Sequence, residues 1–219
     1  MFKHNPIESS DPWFSDFWDR VEAGGWESET FRVFDQYLTS GTTYIDLGAW
    51  VGPTVLYAAS RCKTCYAFEP DPAAYRQLCA NIALNGFTNI ITFNEAVLDY
   101  DGCVTLGSNE LGNSMTRMNS FAQREIRTVC RTLDSFASTQ ELPGPLFMKM
   151  DIEGAEELVL RSIEFFRKYK PTLYLSLHPA WFVDMSGAVR TINAVKSLYR
   201  QTFVVNVDGE RSSHLFTEE

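Results

Sequence analysis

Apolar and polar positions alternate along this chain in two periods. Short apolar runs at 44–48, 64–69, 90–94, 145–150 and 173–177 read as strands. Between them, stripes at helical spacing predict helices over 53–61, 72–85, 155–168 and 187–200. In 72–85 the stripe is Tyr75, Leu78, Cys79 and Ile82, with Asp71 placed to cap it and Pro72 at its first position. In 155–168 it is Ala155, Leu158, Val159, Ser162, Ile163 and Phe166. Two further strands, 202–207 and 213–217, follow the last helix. Such strand–helix alternation predicts an α/β domain with a parallel sheet covered by helices.

Two segments depart from this rhythm. Residues 1–40 carry Trp13, Phe14, Phe17, Trp18, Trp26, Phe31, Phe34 and Tyr37, and the spacing of Phe31, Phe34 and Leu38 suits one helix face. A helical lead-in over 1–40, packed on a domain spanning 41–219, is expected. Residues 99–131 break into Asp101-Gly102 and a polar stretch from Gly107 to Ser114, before a strand-like Thr128-Val129-Cys130. An irregular, substrate-facing insertion is expected there.

Composition narrows the class of partner. A chain of 219 residues with 45% hydrophobic content can build one sizeable core. Its net charge of −9 opposes a nucleic-acid surface, which needs clustered Lys and Arg. The five cysteines are odd in number and sit in apolar patterns, so free thiols and a cytoplasmic setting are expected. Cys62 and Cys65 have the spacing of half a zinc site, with no second pair to complete it. No basic flank leads an apolar run near the N-terminus, and no apolar run reaches the ~20 residues a membrane helix requires. Nothing in the pattern indicates the oligomeric state.

Chemistry concentrates at the ends of the predicted strands. The run Tyr44-Ile45-Asp46-Leu47-Gly48-Ala49-Trp50-Val51-Gly52-Pro53 is an apolar strand ending in an acid, then a glycine turn, then a proline suited to a first helical turn. Glu69 ends the next strand at the spacing where a nucleotide-binding unit places a carboxylate for ribose hydroxyls. Trp50 stands where a dinucleotide fold has the glycine that admits a pyrophosphate, which points to a cofactor without phosphate there. S-adenosylmethionine fits: its adenosine suits Glu69, and its amine favours nearby carboxylates. Glu95, Asp151 and His178 also fall at or just past strand ends, so that with Asp46 and Glu69 they predict one polar sheet edge.

On these residues the chain resembles the FkbM family of S-adenosylmethionine-dependent methyltransferases. The matching pieces are Ile45 to Ala49 with Gly52, Phe68-Glu69-Pro70-Asp71-Pro72, Leu78 with Asn81 and Asn85, Glu95-Ala96-Val97, Thr132-Leu133-Asp134, and Lys149-Met150-Asp151-Ile152-Glu153-Gly154-Ala155-Glu156. The resemblance implies a class I methyltransferase fold, Rossmann-like and three-layered, with a mostly parallel seven-stranded sheet and one antiparallel strand near the C-terminus. It also implies O-methylation of a hydroxyl on a sugar or small natural product. The alternatives are methylation of nitrogen or of a macromolecule, and a cofactor-binding module without catalysis.

Under this reading Asp46, Gly48, Ala49 and Gly52 hold the methionine portion of S-adenosyl-L-methionine. Glu69 and Pro70 take the ribose side, Glu95 and Ala96 border the adenine, and Asp151 lies between cofactor amine and acceptor. An alcohol must lose its proton to attack a methyl group, and His178, with an intrinsic pKa suited to the task, is the expected base beside Asp151. Asp151 and Glu153 are weak candidates for a magnesium ion, which is not required by this reading, and Glu156 caps the following helix. Lys149, inside an apolar strand, is expected to pair with a carboxylate.

Overall fold

The computed structural model describes residues 2–8, 12–108, 124–182, 186–207 and 211–218. Its main sheet is built from β1 (Thr43–Leu47), β2 (Thr64–Phe68), β3 (Ile90–Phe93), and further strands defined below. Helix α1 (Phe17–Glu22) and α2 (Ser28–Tyr37) precede β1, α3 (Pro53–Ala59) joins β1 to β2, and α4 (Pro72–Asn85) joins β2 to β3. Then come β4 (Glu95–Val97), β5 (Gly102–Ser108), β6 (Arg124–Arg131), α5 (Leu133–Thr139), β7 (Leu146–Met150), α6 (Glu156–Val159), α7 (Ile163–Tyr169) and β8 (Thr172–Leu177). The last elements are α8 (Gly187–Lys196), β9 (Gln201–Val207) and β10 (Ser212–Thr217).

The strands run in the order β3-β2-β1-β7-β8-β10-β9. Pairings from β3 to β8 are parallel, and β10 runs antiparallel to both neighbours. This is the class I methyltransferase arrangement, with its one reversed strand near the C-terminus. Order reverses between β1 and β7, so the crevice for a ligand opens beyond the carboxyl ends of these two strands.

Strand alternation sends successive side chains to opposite faces, and each face buries its own core. Ile45, Leu47, Met148 and Leu175 pack with Phe136 of α5, Val159 of α6, Phe166 of α7 and Val195 of α8. Tyr44, Phe147 and Tyr174 face the other way, against Phe34 of α2, Val55 of α3 and Leu78 of α4. Helices on both faces make three layers.

The region 99–131 departs from the expected irregular insertion. β5 and β6 pair antiparallel from Gly102 to Ser108, and β4 adds parallel to β6, forming a second sheet in the order β4-β6-β5. Val104, Leu106, Ile126 and Cys130 alternate inward, a period of two that the Gly and polar residues of the segment obscure. The polar stretch Asn109–Ser114 lies outside the described residues. Helix 155–168 is in fact two short helices, α6 and α7, because Leu160 and the Phe165–Phe166 pair both reach the core across a break at Arg161–Ser162. A hydrophobic stripe cannot register such a break. The helix over 187–200 stops at Lys196.

The aromatic segment before β1 is anchored at two places. Phe14, Phe17 and Trp18 bury with Trp50, Val51, Leu56 and Ala74, and Phe17 meets the Trp50 ring edge-on at 4.8 Å. Farther upstream, the amides of α4 at positions i, i+4 and i+8 seize the extended chain. Gln77 Oε1 accepts from Glu8 N–H (3.1 Å), Asn81 Oδ1 from Asn5 N–H (2.7 Å) and Asn85 Oδ1 from Lys3 N–H (2.9 Å). Among the described residues no helix is long and apolar enough to cross a membrane, and all five cysteines are free thiols.

Candidate active site

The glycine turn after β1 requires its glycines. Gly48 and Gly52 have φ of 88° and 97°, in the left-handed region that side-chain-bearing residues avoid. A Cβ on Gly48 would lie 2.0 Å from the Asp151 carbonyl oxygen, so the ends of β1 and β7 approach as closely as only glycine permits. Asp151 N–H donates to the Leu47 carbonyl at 3.1 Å, closing the same junction. Between the glycines, Trp50 also takes a left-handed φ of 49°, at a cost of about 1–2 kcal/mol. Burial of its ring against Phe14 and Phe17 compensates.

Glu69 fastens this turn to the next. One oxygen accepts from Trp50 N–H and the other from Asp71 N–H, both at 2.8 Å. Burial pushes its carboxyl up to about 8, against the opposing pull of those two backbone donors. Asp71 caps α4 as its sequence predicts, accepting from Ala73 and Ala74 N–H.

Under the turn runs a buried polar row set by strand register. Asp46 pairs with Lys149, and Lys149 with Tyr174, so the three stand side by side on β1, β7 and β8. Asp46 is wholly buried, and its Oδ2 accepts from Tyr44 Oη (2.8 Å) and Thr54 Oγ1 (2.6 Å). Lys149 Nζ lies 3.7 Å from Asp46 Oδ1 and 3.4 Å from Asp151 Oδ2. Burial alone would lower the lysine, yet the two carboxylates outweigh it and hold the ammonium charged. Burial raises Asp46. It acts the same way on Asp151, where Lys149 and His178 reverse it and keep the carboxyl ionised. Tyr174 Oη meets Thr30 Oγ1 at 2.9 Å, Thr30 donates to Glu27, and Glu27 pairs with Arg211 of the segment before β10.

Alternation along β7 and β8 places Asp151 and His178 on this same face, just past the strand ends. His178 Nδ1 stands 3.4 Å from Glu153 Oε2 and 3.7 Å from Asp151 Oδ1. Burial lowers the histidine pKa, leaving it neutral at pH 7. Its ring stacks on Trp181 at 4.3 Å. Glu153 reaches it through a left-handed φ of 61°. Facing two carboxylates, Nδ1 is the favoured position for the ring proton, which leaves Nε2 the lone pair. Among the described residues the cluster of side chains able to hold a metal is this one, with ligand atoms of Asp151, Glu153 and His178 all within 4.8 Å of one another.

The structure thus brings Asp46, Gly48, Gly52, Glu69, Asp151, Glu153 and His178 to one end of the sheet, with Ala49 inside the turn and Pro70 beside Glu69. Glu95 and Ala96 instead begin the second sheet, where two bonds from Arg131 hold the Glu95 carboxylate. Asn94 joins them to the main site, its amide donating to the Glu69 carbonyl at 2.8 Å. Sequence reasoning missed Thr54, Thr30, Glu27 and Arg211, which lie far apart along the chain and carry no local signature. A cavity of about 500 Å³ lined by Trp18, Phe31, Arg32 and Tyr57 lies among α1, α2 and α3, and none of the site residues above lines it.

The sequence profile of the methyltransferase FkbM domain matches residues 46–198, from the end of β1 to just beyond α8. The chain belongs to the FkbM methyltransferase family. Solved structures share its fold. An FkbM methyltransferase from Methylobacillus flagellatus KT is 15% identical, with a TM-score of 0.61 over 94% of this chain and 55% of that one. The present chain therefore spans about half the length of that relative. A precorrin-6y C5,15-methyltransferase from Geobacter metallireducens GS-15 is 10% identical, with a TM-score of 0.54 and 87% of each chain covered. A Streptococcus mutans protein, SMU.1697c, solved in complex with SAH, is 8% identical, with a TM-score of 0.52 over 86% of this chain and 95% of that one. No curated protein matches the chain significantly in sequence.

Proposed function

We propose that this FkbM family member transfers the methyl group of S-adenosylmethionine to a hydroxyl of a sugar or other small natural product. The observation that carries the reading is the junction of the glycine turn with the Asp151–His178 pair, where the Gly48 backbone touches the Asp151 carbonyl. A cofactor-holding turn and a proton-accepting group meet there at the topological switch point. The net charge of −9 favours a small acceptor over a nucleic acid.

The residues present suit the cofactor. Gly48 lets the turn close on Asp151, Gly52 lets it close on Leu78 of α4, and Ala49 packs into the core beneath it, while Glu69 keeps lone pairs for ribose hydroxyls beyond its two backbone bonds. Asp46, wholly buried, supports the turn from beneath through Thr54 and Lys149. Asp151, whose Oδ1 carries no hydrogen bond, takes the methionine amine. Pro70 borders the adenine, and Asn94, bonded to the Glu69 and Pro70 carbonyls, brings Glu95 and Ala96 at the edge of the second sheet alongside. Bound S-adenosylmethionine supplies an already activated methyl group, so the protein's task is alignment and proton removal. His178 accepts the hydroxyl proton at Nε2, while Asp151 and Glu153 stabilise the imidazolium that results.

Calorimetric titration with S-adenosylmethionine, its demethylated product and NAD tests the donor. Binding of NAD alone would overturn the reading. For the acceptor, labelled methyl transfer is screened over sugars and hydroxylated natural products. His178→Ala should then keep donor affinity within about threefold and lose about 10²-fold or more in turnover, the usual size of general-base catalysis.

A second reading of the same cluster is a divalent cation that binds the acceptor oxygen. The separations favouring it are 3.4 and 3.7 Å from His178 Nδ1 to the two carboxylates, longer than hydrogen bonds. Chelation distinguishes the two: turnover lost with EDTA and restored by Mg²⁺ or Mn²⁺ supports the cation, and unchanged turnover removes it.

A further inference from the structure

We propose that Glu156 is a positioning residue for His178: its buried carboxyl ties down the turn from Asp151 to Gly154 and so holds Glu153 against the imidazole. This rests on the reading of His178 as the base. Glu156 is wholly buried, and its Oε1 accepts from Ile152 N–H at 3.2 Å and Gly154 N–H at 3.3 Å. Ordinary capping would direct an acid in the first turn of a helix to the helix's own amides. Glu156 meets its own N–H and also reaches backward, to the second and fourth residues before it. Between those two anchored amides sits Glu153, at a φ of 61° that it does not adopt unaided.

The turn is held from its other side as well. A Cβ on Gly154 would lie 2.6 Å from the Trp181 carbonyl oxygen, and the Trp181 ring stacks on His178. Glu156 therefore grips the turn from within the core while the Trp181 segment closes over it. The Glu153 carboxylate between them is left 3.4 Å from His178 Nδ1. The oxygen of Glu156 that accepts, Oε1, serves backbone geometry and not contact with a reactant.

The histidine titration tests this without knowledge of the acceptor, because the chain holds three histidines and their ring signals separate readily by NMR. The His178 pKa is measured in the unaltered chain, Glu153→Gln, Glu156→Ala and the double variant. Loss of a carboxylate within about 4–6 Å disfavours the imidazolium, so Glu153→Gln should lower the His178 pKa by roughly half a unit or more. In the Glu156→Ala background the same change should shift it by less than about 0.2 unit, and Glu156→Gln, which keeps an acceptor oxygen, should restore the coupling. An equal Glu153→Gln shift with and without Glu156 overturns the proposal. If Glu156→Ala does not fold, amide exchange in the unaltered chain decides. Ile152 and Gly154 N–H should be protected about 10²-fold or more, and free-peptide rates overturn the proposal. Failure to bind the cofactor would instead sink the functional reading and leave this coupling standing.

Discussion

Gly48→Ala is the sharpest perturbation of the site, because the structure separates its two costs. Alanine at a φ of 88° pays about 1–2 kcal/mol for the left-handed conformation. Its Cβ would also meet the Asp151 carbonyl oxygen at 2.0 Å, where real contacts lie at 3.0 Å or more, so β1 and β7 must part by about 1 Å at their ends. That movement breaks the 3.1 Å bond from Asp151 N–H to the Leu47 carbonyl, at about 1 kcal/mol for a buried hydrogen bond. The sum is about 2–3 kcal/mol, or about 4–12 °C in Tm for a chain of this size. Gly86→Ala is the control: its φ of 67° carries the same conformational cost, and nothing lies within 4 Å of the added Cβ. It should lose about 2–4 °C less than Gly48→Ala, the share of the broken hydrogen bond. Differential scanning calorimetry of both variants, with product titration of the folded fraction, makes the comparison. Equal Tm losses for the two would refute the close approach of the Gly48 turn to Asp151.

Three further outcomes are expected. Glu69 carries a proton below about 8, and ribose hydroxyls need its carboxylate. Product affinity should therefore rise with pH between 6.5 and 8.5, by up to about tenfold per unit, and Glu69→Gln should flatten the calorimetric profile. The same raised pKa makes the ligand-free fold lose Glu69's contribution as pH climbs from its unfolded value through about 8, visible as a falling denaturant midpoint. Lys149→Met leaves Asp46 and Asp151 buried without their shared cation and should cost about 3–5 kcal/mol in urea unfolding; a loss under about 1 kcal/mol would mean the row is solvated. Trp50→Ala should weaken the hold on the segment around Phe14 and Phe17, costing about 3–5 kcal/mol and opening residues before β1 to limited proteolysis; an unchanged digestion pattern would deny Trp50 that role.

The sequence alone determined the class of fold and marked the strand ends where candidate site residues gather. Strand and helix periods are local, so β1, β2, β7, β8 and α4 could be read within a residue or two, and Asp71 and Pro72 marked the start of α4. The glycine turn, Glu69 and the run from Lys149 to Glu156 were legible because backbone conformation and strand-end placement leave residue-level marks. Pairing across the chain leaves none. Tertiary structure decided that residues 102–108 and 124–131 form a second sheet, and that Trp50 anchors the leading aromatics. It likewise set Asp46, Lys149 and Tyr174 in one buried row running to Glu27 and Arg211, and turned Glu156 back on the loop before it. Those outcomes depend on register, burial and competition among distant groups for the same core. Each is a property of the packed whole, to which no single stretch of sequence has access.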